Sequence, residues 1–336
     1  MKHAFKRLTA LIMIMVFTCI SLIGCTKHTQ KNDIRKITLN EVAHSIFYAP
    51  QYVAIEKGYF NDEGIDLTLV TGFGADKVMT ALISGDADIG FMGSEASVYI
   101  YTGGSSDYAV NFAQLTQRAG NFLVSRDNIS NFKWSDVKGK TIIGGRAGGM
   151  PQMLLEYILK KNNIDCKKDV EIVQNIDFGS TAAAFASGLG DFTVEFEPSA
   201  TAIESENKGY IAASLGVDSG YVPYTAYCAK KSFLKNNPEI IQSFTNAIQK
   251  GLEFVNSHNS SEIAAVIAPQ FKETDIQTLT KIVERYKSQD TWKNDTIFEE
   301  SSFSLLTDIL KQAGELDENV PYNKLVTTDF SKKAVK

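Results

Sequence analysis

The sequence contains little histidine, which limits the chemistry that the protein can carry out. Its 336 residues include four histidines, scattered along the chain at His3, His28, His44 and His258. Metal centres and catalytic triads need such side chains grouped with carboxylates, thiols or hydroxyls. The best serine candidate, Ser94, also lies outside a G-x-S-x-G nucleophile motif, because the local run is MGSEA. We therefore expect no catalytic residue, no metal and no cofactor.

Cysteine is equally scarce, with four residues in the chain. Cys19 and Cys25 lie in the N-terminal segment, so only Cys166 and Cys228 remain in the folded body. These two can form at most one disulfide, and nothing in their spacing requires it. Separate, partly buried thiols are the favoured interpretation, and one disulfide is the alternative in a permissive compartment.

An excess of positive charge is also absent. The 34 basic and 39 acidic residues give a formal net charge of −5. A mildly acidic surface argues against binding of nucleic acid or other polyanions. The apolar fraction of 44% and the regular patterning argue against a disordered chain.

The N-terminus has the features of a signal peptide. Three basic residues stand among the first seven positions, and an apolar run at 8–23 follows that is too short for a comfortable transmembrane helix. The run ends in Leu22-Ile23-Gly24-Cys25, which resembles the bacterial lipobox, where the cysteine is acylated and becomes the mature N-terminus. We expect residues 1–24 to be a lipoprotein signal peptide and Cys25 to be the lipidation site. The alternative is an uncleaved apolar anchor.

These features predict an extracytoplasmic protein that a lipid anchors to the cell membrane. Residues 26–36 are polar apart from Ile34, so we expect residues 25–36 to be a flexible tether. Removal of the leader would leave 312 residues and change the net charge from −5 to −8. That length is sufficient for two lobes, each with its own core.

Short apolar strands alternate with amphipathic helices over the rest of the chain. This alternation predicts an α/β fold of mixed, largely parallel sheets flanked by helices. A first set of units contains strands at 37–42, 67–70 and 89–92. Its helices are predicted at 50–57, ending at Gly58, at 76–84, ending at Gly85, and from the cap Ser94 to Tyr101.

A second set of units begins at Lys140. It contains a strand at 141–143, a glycine loop at 144–149, a helix from Pro151, and strands at 170–174, 192–196 and 211–214. Extended stretches at 110–125 and 224–229 join the two sets, and the C-terminal part is mostly helical. We predict lobe 1 at 37–118 and 225–336 and lobe 2 at 119–224. A ligand cleft would lie at the two-strand hinge, where strand ends meet helix N-termini.

Several motifs resemble those of one family of solute-binding proteins. FYAPQYVA at 47–54, EKGYF at 56–60 and EGI at 63–65 resemble its opening, and GDADIG at 85–90 fits its next signature. Glu197-Pro198 also matches. The family is the nitrate/sulfonate/taurine and thiamine-pyrimidine class that feeds ABC importers, and the resemblance covers essentially the whole mature chain.

The resemblance implies a hinge-closing protein of the periplasmic-binding-protein type II fold with no chemistry of its own. Such a protein carries a small molecule to a membrane permease driven by a cytoplasmic ATPase, and we expect it to act as a monomer. The thiamine-pyrimidine branch is the most similar, chiefly because of the run at 72–93. Related eukaryotic pyrimidine-synthesising enzymes carry a CCCFC motif, and its absence here argues against that enzymatic function.

Candidate ligand contacts follow the strands of the first set. Ser45, Phe47 and Tyr48 come after the first strand, and Phe47 or Tyr48 could stack on a planar ligand. Gly93 and Ser94 begin the helix after the third strand, where free N–H groups and a hydroxyl can bind an acceptor or an anion. The alternatives are that the aromatic residues belong to the core and that Ser94 caps its own helix.

The second set offers a glycine loop and two acids. Gly148 and Gly149 allow close backbone approach to a ligand at a helix N-terminus, although the loop fits neither a P-loop nor a dinucleotide motif. Glu195 and Glu197 flank Phe196 and share one strand face. A carboxylate there could accept hydrogen bonds from an aminopyrimidine or pair with a cation, and would suit nitrate or a sulfonate poorly. The alternative is an acid that favours a helix N-terminus.

The two extended stretches that join the sets, at 110–125 and 224–229, are called the first and second crossing. They supply candidate ligand contacts of secondary rank. Gln117, with Arg118, lies on the first crossing, and Tyr224 and Tyr227, with Thr225, lie on the second. In a two-lobed protein such hinge positions lie at the back of the cleft, behind the ligand.

The leading hypothesis is a lipid-anchored importer component that closes on a thiamine-precursor pyrimidine or a similar aromatic nitrogen heterocycle. An alkanesulfonate, taurine or nitrate binder of the same family is the first alternative. A secreted pyrimidine-handling enzyme is the second, and it would need a reactive residue such as His44 facing the cleft. A surface sensor that signals by closure is the third.

Overall fold

A computed structural model describes residues 34–335, apart from the side chain of Phe178. The predicted leader, the lipidation site Cys25 and residues 25–33 of the predicted tether lie outside the described residues. The first strand begins at Arg35, two residues earlier than predicted, so the last two tether positions belong to the sheet.

The described strands form two five-stranded sheets. The first sheet has the order β2-β1-β3-β10-β4, and the second sheet has the order β7-β6-β8-β5-β9. The strands are β1 Arg35–Glu41, β2 Ile65–Thr71, β3 Ile89–Gly93, β4 Ala109–Gln114, β5 Asn121–Ser125, β6 Thr141–Ile143, β7 Glu171–Val173, β8 Phe192–Phe196, β9 Tyr210–Ser214 and β10 Thr225–Lys230.

The sheets are mixed and not largely parallel. β1 runs parallel to β2 and β3, and β6 runs parallel to β7 and β8. β10 is antiparallel to β3 and β4, and β5 is antiparallel to β8 and β9. The chain passes from the first sheet into the second through β5, and it returns to the first sheet through β10. The two crossings therefore account for the antiparallel pairings.

Helices cover the outer faces of both sheets. They are α1 Ala49–Glu56, α2 Tyr59–Asp62, α3 Ala75–Ser84, α4 Glu95–Thr102, α5 Met150–Lys161, α6 Thr181–Ala186, α7 Ser199–Ser205, α8 Leu215–Ser219, α9 Lys231–Asn236, α10 Pro238–Ser257, α11 Ser260–Ile267, α12 Ile276–Ser288, α13 Glu300–Ala313, α14 Tyr322–Leu325 and α15 Asp329–Ala334. Short 3₁₀ turns occur at Ile46–Tyr48, Trp134–Val137, Phe178–Ser180 and Ala268–Gln270. None of the described helices is long and apolar enough to cross a membrane.

Local sequence signals explain several of these boundaries. Gly58 follows α1 with a φ of +73°, and Gly85 ends α3 with a φ of +90°, the left-handed conformation that glycine adopts readily. Both predicted helix stops are confirmed. The predicted cap at Ser94 is wrong, because its side chain makes no capping bond and Ser94 Oγ instead donates to the carbonyl of Pro223, at 2.7 Å.

The apolar stripe of α10 faces the core. Its five predicted members, Ile241, Phe244, Ile248, Leu252 and Val255, are fully buried. α10 packs against α1 so closely that a Cβ on Gly251 would lie 2.2 Å from the carbonyl oxygen of Pro50. This packing holds α1, and the residues just before it, against the rest of the first sheet.

Candidate functional site

A cavity of about 510 Å³ lies between the two sheets. It is bounded by loops and helix starts that follow β1, β2, β3 and β6, by the end of β8 and by the start of β10. This is the edge at which α/β proteins commonly bind ligands. The lining residues are Val42, Tyr48, Gly74, Ala75, Asp76, Met79, Gly93, Glu95, Ala96, Tyr99, Ile100, Arg146, Ala147, Gly148, Gly149, Met150, Pro151, Phe196, Tyr224, Thr225 and Glu315.

Aromatic side chains form a large part of the cavity wall. Tyr48, Tyr99, Phe196 and Tyr224 all line it. Phe47 supports this wall from the core, since its ring centroid lies 5.0 Å from that of Tyr48 and 5.6 Å from those of Phe196 and Tyr224. Flat aromatic walls of this kind suit a planar ligand.

Residues from the two sides of the cavity contact each other directly. Asp76 Oδ2, at the start of α3, lies 3.0 Å from Arg146 Nη1 in the loop after β6. Tyr99 Oη, in α4, donates a 2.8 Å hydrogen bond to the carbonyl of Gly148. Both contacts join elements of the first sheet to elements of the second, so they hold the cavity in a closed arrangement.

Glu95, the first residue of α4, brings a buried carboxyl group to the cavity. The residue is 2% exposed, and its Oε2 has no hydrogen-bond partner within the part of the chain that the structure describes. Burial raises the pKa of Glu95 to about 8, while the backbone N–H groups of Glu95 and Met150 lower that pKa by hydrogen bonding. Burial therefore favours the neutral form of this side chain.

Gly93 makes room for this carboxyl group. A Cβ built on Gly93 would lie 2.1 Å from Glu95 Oε2 and 2.5 Å from Oε1. The end of β3 and the start of α4 thus form a compact unit in which the acid folds back over the glycine.

The structure places five of the predicted contact residues on the cavity wall. These are Tyr48, Gly93, Gly148, Gly149 and Tyr224. They come from both sheets, as the predicted cleft requires. The Tyr224 hydroxyl is buried beside the Asn121 side chain without a hydrogen bond of ordinary geometry among residues 34–335. Ligand contact by these residues remains a prediction.

Four predicted residues lie near the cavity but do not line it. Ser45 Oγ donates to the carbonyl of Glu197 at 2.6 Å, and Phe47 is fully buried in the aromatic core. Ser94 is held by its bond to the Pro223 carbonyl, and Gln117 Nε2 donates to the carbonyls of Asp290 and Trp292 at 3.2 Å each. Their hydrogen bonds and packing support the cavity wall from behind.

The two predicted acids, Glu195 in β8 and Glu197 just after it, do not line the cavity either. Glu195 accepts hydrogen bonds from Thr193 at 2.7 Å and Thr181 at 3.2 Å, and burial raises its pKa to about 7. Glu197 pairs with Arg285 and accepts from Thr201 N at 2.9 Å. Burial raises the pKa of Glu197, although Arg285 opposes that shift.

Tyr227 lies in the core of the first sheet. Its ring stacks on Phe91 with centroids 4.2 Å apart, and its hydroxyl donates to Gln51 Oε1 at 2.9 Å. It is absent from the lining residues, whereas Thr225, two positions earlier on β10, is among them.

His44 does not line the cavity. Its Nδ1 lies 2.9 Å from Glu41 Oε1, and its Nε2 lies 2.9 Å from the carbonyl oxygen of Gln270. Among the described residues that line the cavity there is no histidine or cysteine. Cys166 and Cys228 are free thiols, half-buried and buried respectively. Over residues 34–335, no three His, Cys, Asp or Glu side chains are grouped as metal ligands.

Sequence reasoning missed Glu95, Asp76, Tyr99, Arg146 and Glu315. Glu95 directly follows the predicted contact Ser94, and its neighbour Gly93 could have indicated that a side chain folds back there. Glu315 comes from a distant C-terminal segment, for which no local motif signals a cavity position.

Residues 46–261, more than half of the chain, match the family described as NMT1/THI5 like. The chain is 44% identical to the Bacillus subtilis (strain 168) protein named "Putative binding protein YtlA", over 95% of this chain and 94% of that protein. It is also 22% identical to the 4-amino-5-hydroxymethyl-2-methylpyrimidine phosphate synthase of Aspergillus parasiticus, over 62% of this chain and 63% of that enzyme.

Two solved structures are similar over most of their length. The periplasmic nitrate-binding protein NrtA from Synechocystis PCC 6803 has a TM-score of 0.76 and 15% identity, covering 90% of this chain and 89% of that protein. The alkanesulfonate-binding protein SsuA from Xanthomonas axonopodis pv. citri, bound to MOPS, has a TM-score of 0.70 and 14% identity, covering 87% and 98%. These likenesses confirm the predicted periplasmic-binding-protein-like α/β fold.

Proposed function

The chain belongs to the NMT1/THI5-like family, and we propose that it is the substrate-binding protein of an ABC importer. It captures a small nutrient in the cavity between its two sheets and delivers it to a membrane permease, which a cytoplasmic ATPase drives. The observation that carries this proposal is the cavity itself. Its volume of about 510 Å³ lies within the usual range of small-molecule sites, and both sheets contribute to its wall.

The ligand is a thiamine-precursor pyrimidine or a similar aromatic nitrogen heterocycle. Tyr48, Phe196 and Tyr224 offer aromatic faces to a planar ring. The buried carboxyl group of Glu95 offers hydrogen-bonding atoms to ring nitrogens and amino groups. We therefore assign to Glu95, and not to Glu195 or Glu197, the role of the carboxyl group that bonds to an aminopyrimidine, because Glu95 lines the cavity.

Nitrate, taurine or an alkanesulfonate is the second candidate, which the structural likeness to NrtA and SsuA favours. The charges around the cavity weigh against a free anion. Asp76 and Glu315 both line it, and the Arg146 guanidinium is already paired with Asp76. A free anion would have to compete with Asp76 for that guanidinium.

An enzyme acting on a pyrimidine is a further candidate, because one relative is named as a synthase. Such chemistry would need a reactive group at the ligand, and His44 has both ring nitrogens within hydrogen-bond distance of Glu41 and Gln270. A His44→Ala variant that retains its ligand affinity would weaken this candidate.

The protein acts outside the cytoplasm, held to the cell membrane by a lipid on Cys25. The lipobox-like run at 22–25 and the polar segment that follows support this location. Mass spectrometry of the membrane-extracted protein tests it, since acylation adds the mass of the lipid to a chain that begins at Cys25. A Cys25→Ser variant that stays membrane-bound at wild-type level would contradict it.

A thermal-shift panel tests the ligand class. It contains thiamine, 4-amino-5-hydroxymethyl-2-methylpyrimidine, a formylamino-pyrimidine, riboflavin, taurine, an alkanesulfonate and nitrate. A ligand at 100 times its Kd adds about 2.7 kcal/mol of stability, which gives a readable rise in Tm. We expect a rise with a pyrimidine. A rise with the anions alone would favour the second candidate, and no rise with any compound would contradict the proposed ligand class.

A further inference from the structure

Glu95 has a buried carboxyl oxygen that lacks a hydrogen-bond partner among the described residues, and the residue lines the cavity. The residue is 98% buried, lines the cavity, and has one carboxyl oxygen, Oε2, without a hydrogen-bond partner anywhere in residues 34–335. Leaving a buried polar atom unpaired costs free energy that a complementary ligand group would recover. The aromatic residues Tyr48, Phe196 and Tyr224 line the same cavity as Glu95.

No cation in the described cavity is available to this carboxyl group. Arg146 is the single basic side chain among the described lining residues, and it is paired with Asp76. Burial raises the pKa of Glu95, and only the backbone N–H groups of Glu95 and Met150 act against it. The titratable and charged groups that share the cavity with Glu95 are Tyr48, Asp76, Tyr99, Arg146, Tyr224 and Glu315.

A neutral carboxyl group carries one O–H donor and one carbonyl acceptor side by side. The edge of an aminopyrimidine carries the complementary pair, a ring nitrogen that accepts and an adjacent amino group that donates. Two parallel hydrogen bonds form without moving a net charge into the cavity. Nitrate and sulfonates offer acceptors only, so they lack a donor for the carbonyl oxygen.

We propose that Glu95 is a specificity-determining residue that binds, as a neutral carboxyl group, the ring nitrogen and the adjacent amino group of an aminopyrimidine. The inference rests on the proposed function and names the residue that selects the heterocycle over the anions. Gly93 belongs to the same binding arrangement, because a side chain at that position would displace the Glu95 carboxyl group.

The test is isothermal titration with 4-amino-5-hydroxymethyl-2-methylpyrimidine, for wild type and two variants, from pH 7 to 9.5. Glu95→Gln keeps a donor and an acceptor but cannot ionise, whereas Glu95→Leu removes both. We expect Glu95→Gln to bind within about threefold of wild type and Glu95→Leu to bind at least about tenfold more weakly.

The pH dependence separates the neutral form from the ionised form. Wild-type affinity should be constant up to about pH 8, near the pKa of Glu95, and should then fall about tenfold per pH unit. Glu95→Gln should show no such fall. An affinity that rises with pH, together with weak binding by Glu95→Gln, would show that the carboxylate is the binding form and would overturn the proposal.

Glu195→Gln is the matched control. Glu195 is also a buried acid with a raised pKa, but its oxygens bond to Thr193 and Thr181 and it does not line the cavity. This variant should keep both the affinity and the pH dependence of wild type, and thermal unfolding confirms that each variant is folded.

The outcomes also distinguish the inference from the proposed function. If Glu95→Leu binds the pyrimidine with the same affinity as wild type, the proposed role of Glu95 is overturned and the pyrimidine-binding function stands. Wild type that binds nitrate or ethanesulfonate but not the pyrimidine would overturn both the role of Glu95 and the ligand class.

Discussion

Gly93, on the cavity wall, and Gly120, against the ring of Phe47, exclude side chains for different physical reasons. A Cβ on Gly93 would meet the carboxyl end of Glu95, a flexible side chain that can swing aside. A Cβ on Gly120 would lie 2.3 Å from the ring of Phe47, which is fully buried among other aromatic rings. A packed ring cannot move without disturbing its neighbours.

This difference predicts unequal costs for the same substitution. Gly120→Ala should destabilise the protein by about 3 kcal/mol, as expected of an overpacked core, and Gly93→Ala by about 1 kcal/mol or less. Denaturant unfolding measures both. Gly93→Ala should nevertheless weaken pyrimidine binding as Glu95→Leu does, because it displaces the carboxyl group. Equal losses of stability at the two positions would contradict this explanation.

Phe73 has a left-handed backbone, with a φ of +54°, although its side chain is bulky and 54% exposed. It lies between Gly72 and Gly74, and Gly74 lines the cavity. A Cβ built on Gly179 would lie 3.9 Å from the Phe73 ring. Such a conformation costs free energy for residues other than glycine.

The strain at Phe73 can be measured with two substitutions that both remove the ring. Phe73→Gly relieves the backbone strain and Phe73→Ala keeps it, so the glycine variant should be more stable by about 1 kcal/mol. Thermal or denaturant unfolding of the pair provides the comparison. An alanine variant as stable as the glycine variant would show that the backbone there is unstrained.

At the same scale, sequence reasoning located part of the site and not its acid. Tyr48 and Gly93 were predicted from their positions after strands, and Tyr224 from its position on the second crossing; all three line the cavity. Glu195 and Glu197 were predicted because they flank Phe196 and share one strand face, and Glu95 was not among the predicted residues. Which of two acids is buried facing the cavity depends on long-range packing, such as the approach of Met150, and no local pattern encodes that.

At the scale of elements, a polar network ties the end of β1 to α1 and to the 3₁₀ turn Ala268–Gln270. The fully buried Glu41 carboxylate accepts hydrogen bonds from Gln51 at 2.7 Å and Tyr52 at 2.8 Å. His44 bridges Glu41 and the Gln270 carbonyl. Both partners of His44 are acceptors, so the doubly protonated ring satisfies both bonds.

This network predicts a pH-dependent contribution to stability. The hydrogen bond to Glu41 raises the pKa of His44 above its usual 6.5, with burial acting against it. The stabilisation is therefore fully present below pH 6.5 and is lost as the pH rises through the raised pKa. His44→Gln should cost about 1 kcal/mol at pH 5.5 and less at pH 8.5. A cost that is constant or larger at pH 8.5, in denaturant unfolding, would contradict it.

Element positions were largely predictable, and strand directions were not. An apolar run predicted β1, and apolar runs that end at Gly58 and Gly85 predicted α1 and α3. The predicted ends of all three elements lie within two residues of the observed ends. The direction of β10 depends on where a chain returning from the second sheet inserts, between β3 and β4. That choice is made by packing between segments more than 100 residues apart, so the local sequence does not reveal it.

At the scale of the whole molecule, two crossings join the sheets and several contacts close the cavity. The Asp76–Arg146 pair is about half exposed on each side, so it stabilises the closed arrangement only weakly. Tyr99 adds one hydrogen bond across the cavity. A ligand that touches both sides would favour closure by binding the closed form better than the open one.

We therefore predict a ligand-dependent change of shape in solution. Small-angle X-ray scattering should give a smaller radius of gyration with a saturating pyrimidine than without it. Arg146→Ala should leave the ligand-bound value unchanged, since the ion pair contributes little. An identical radius with and without a ligand shown to bind would contradict hinge closure.

The most direct test of the account is a crystal structure of the protein with 4-amino-5-hydroxymethyl-2-methylpyrimidine. We predict ring density between the two sheets, against Tyr48 and Tyr224, with the ring nitrogen and amino group within hydrogen-bond distance of Glu95. Density for the compound at any other place, or a cavity that remains free of it at saturating concentration, would contradict the account.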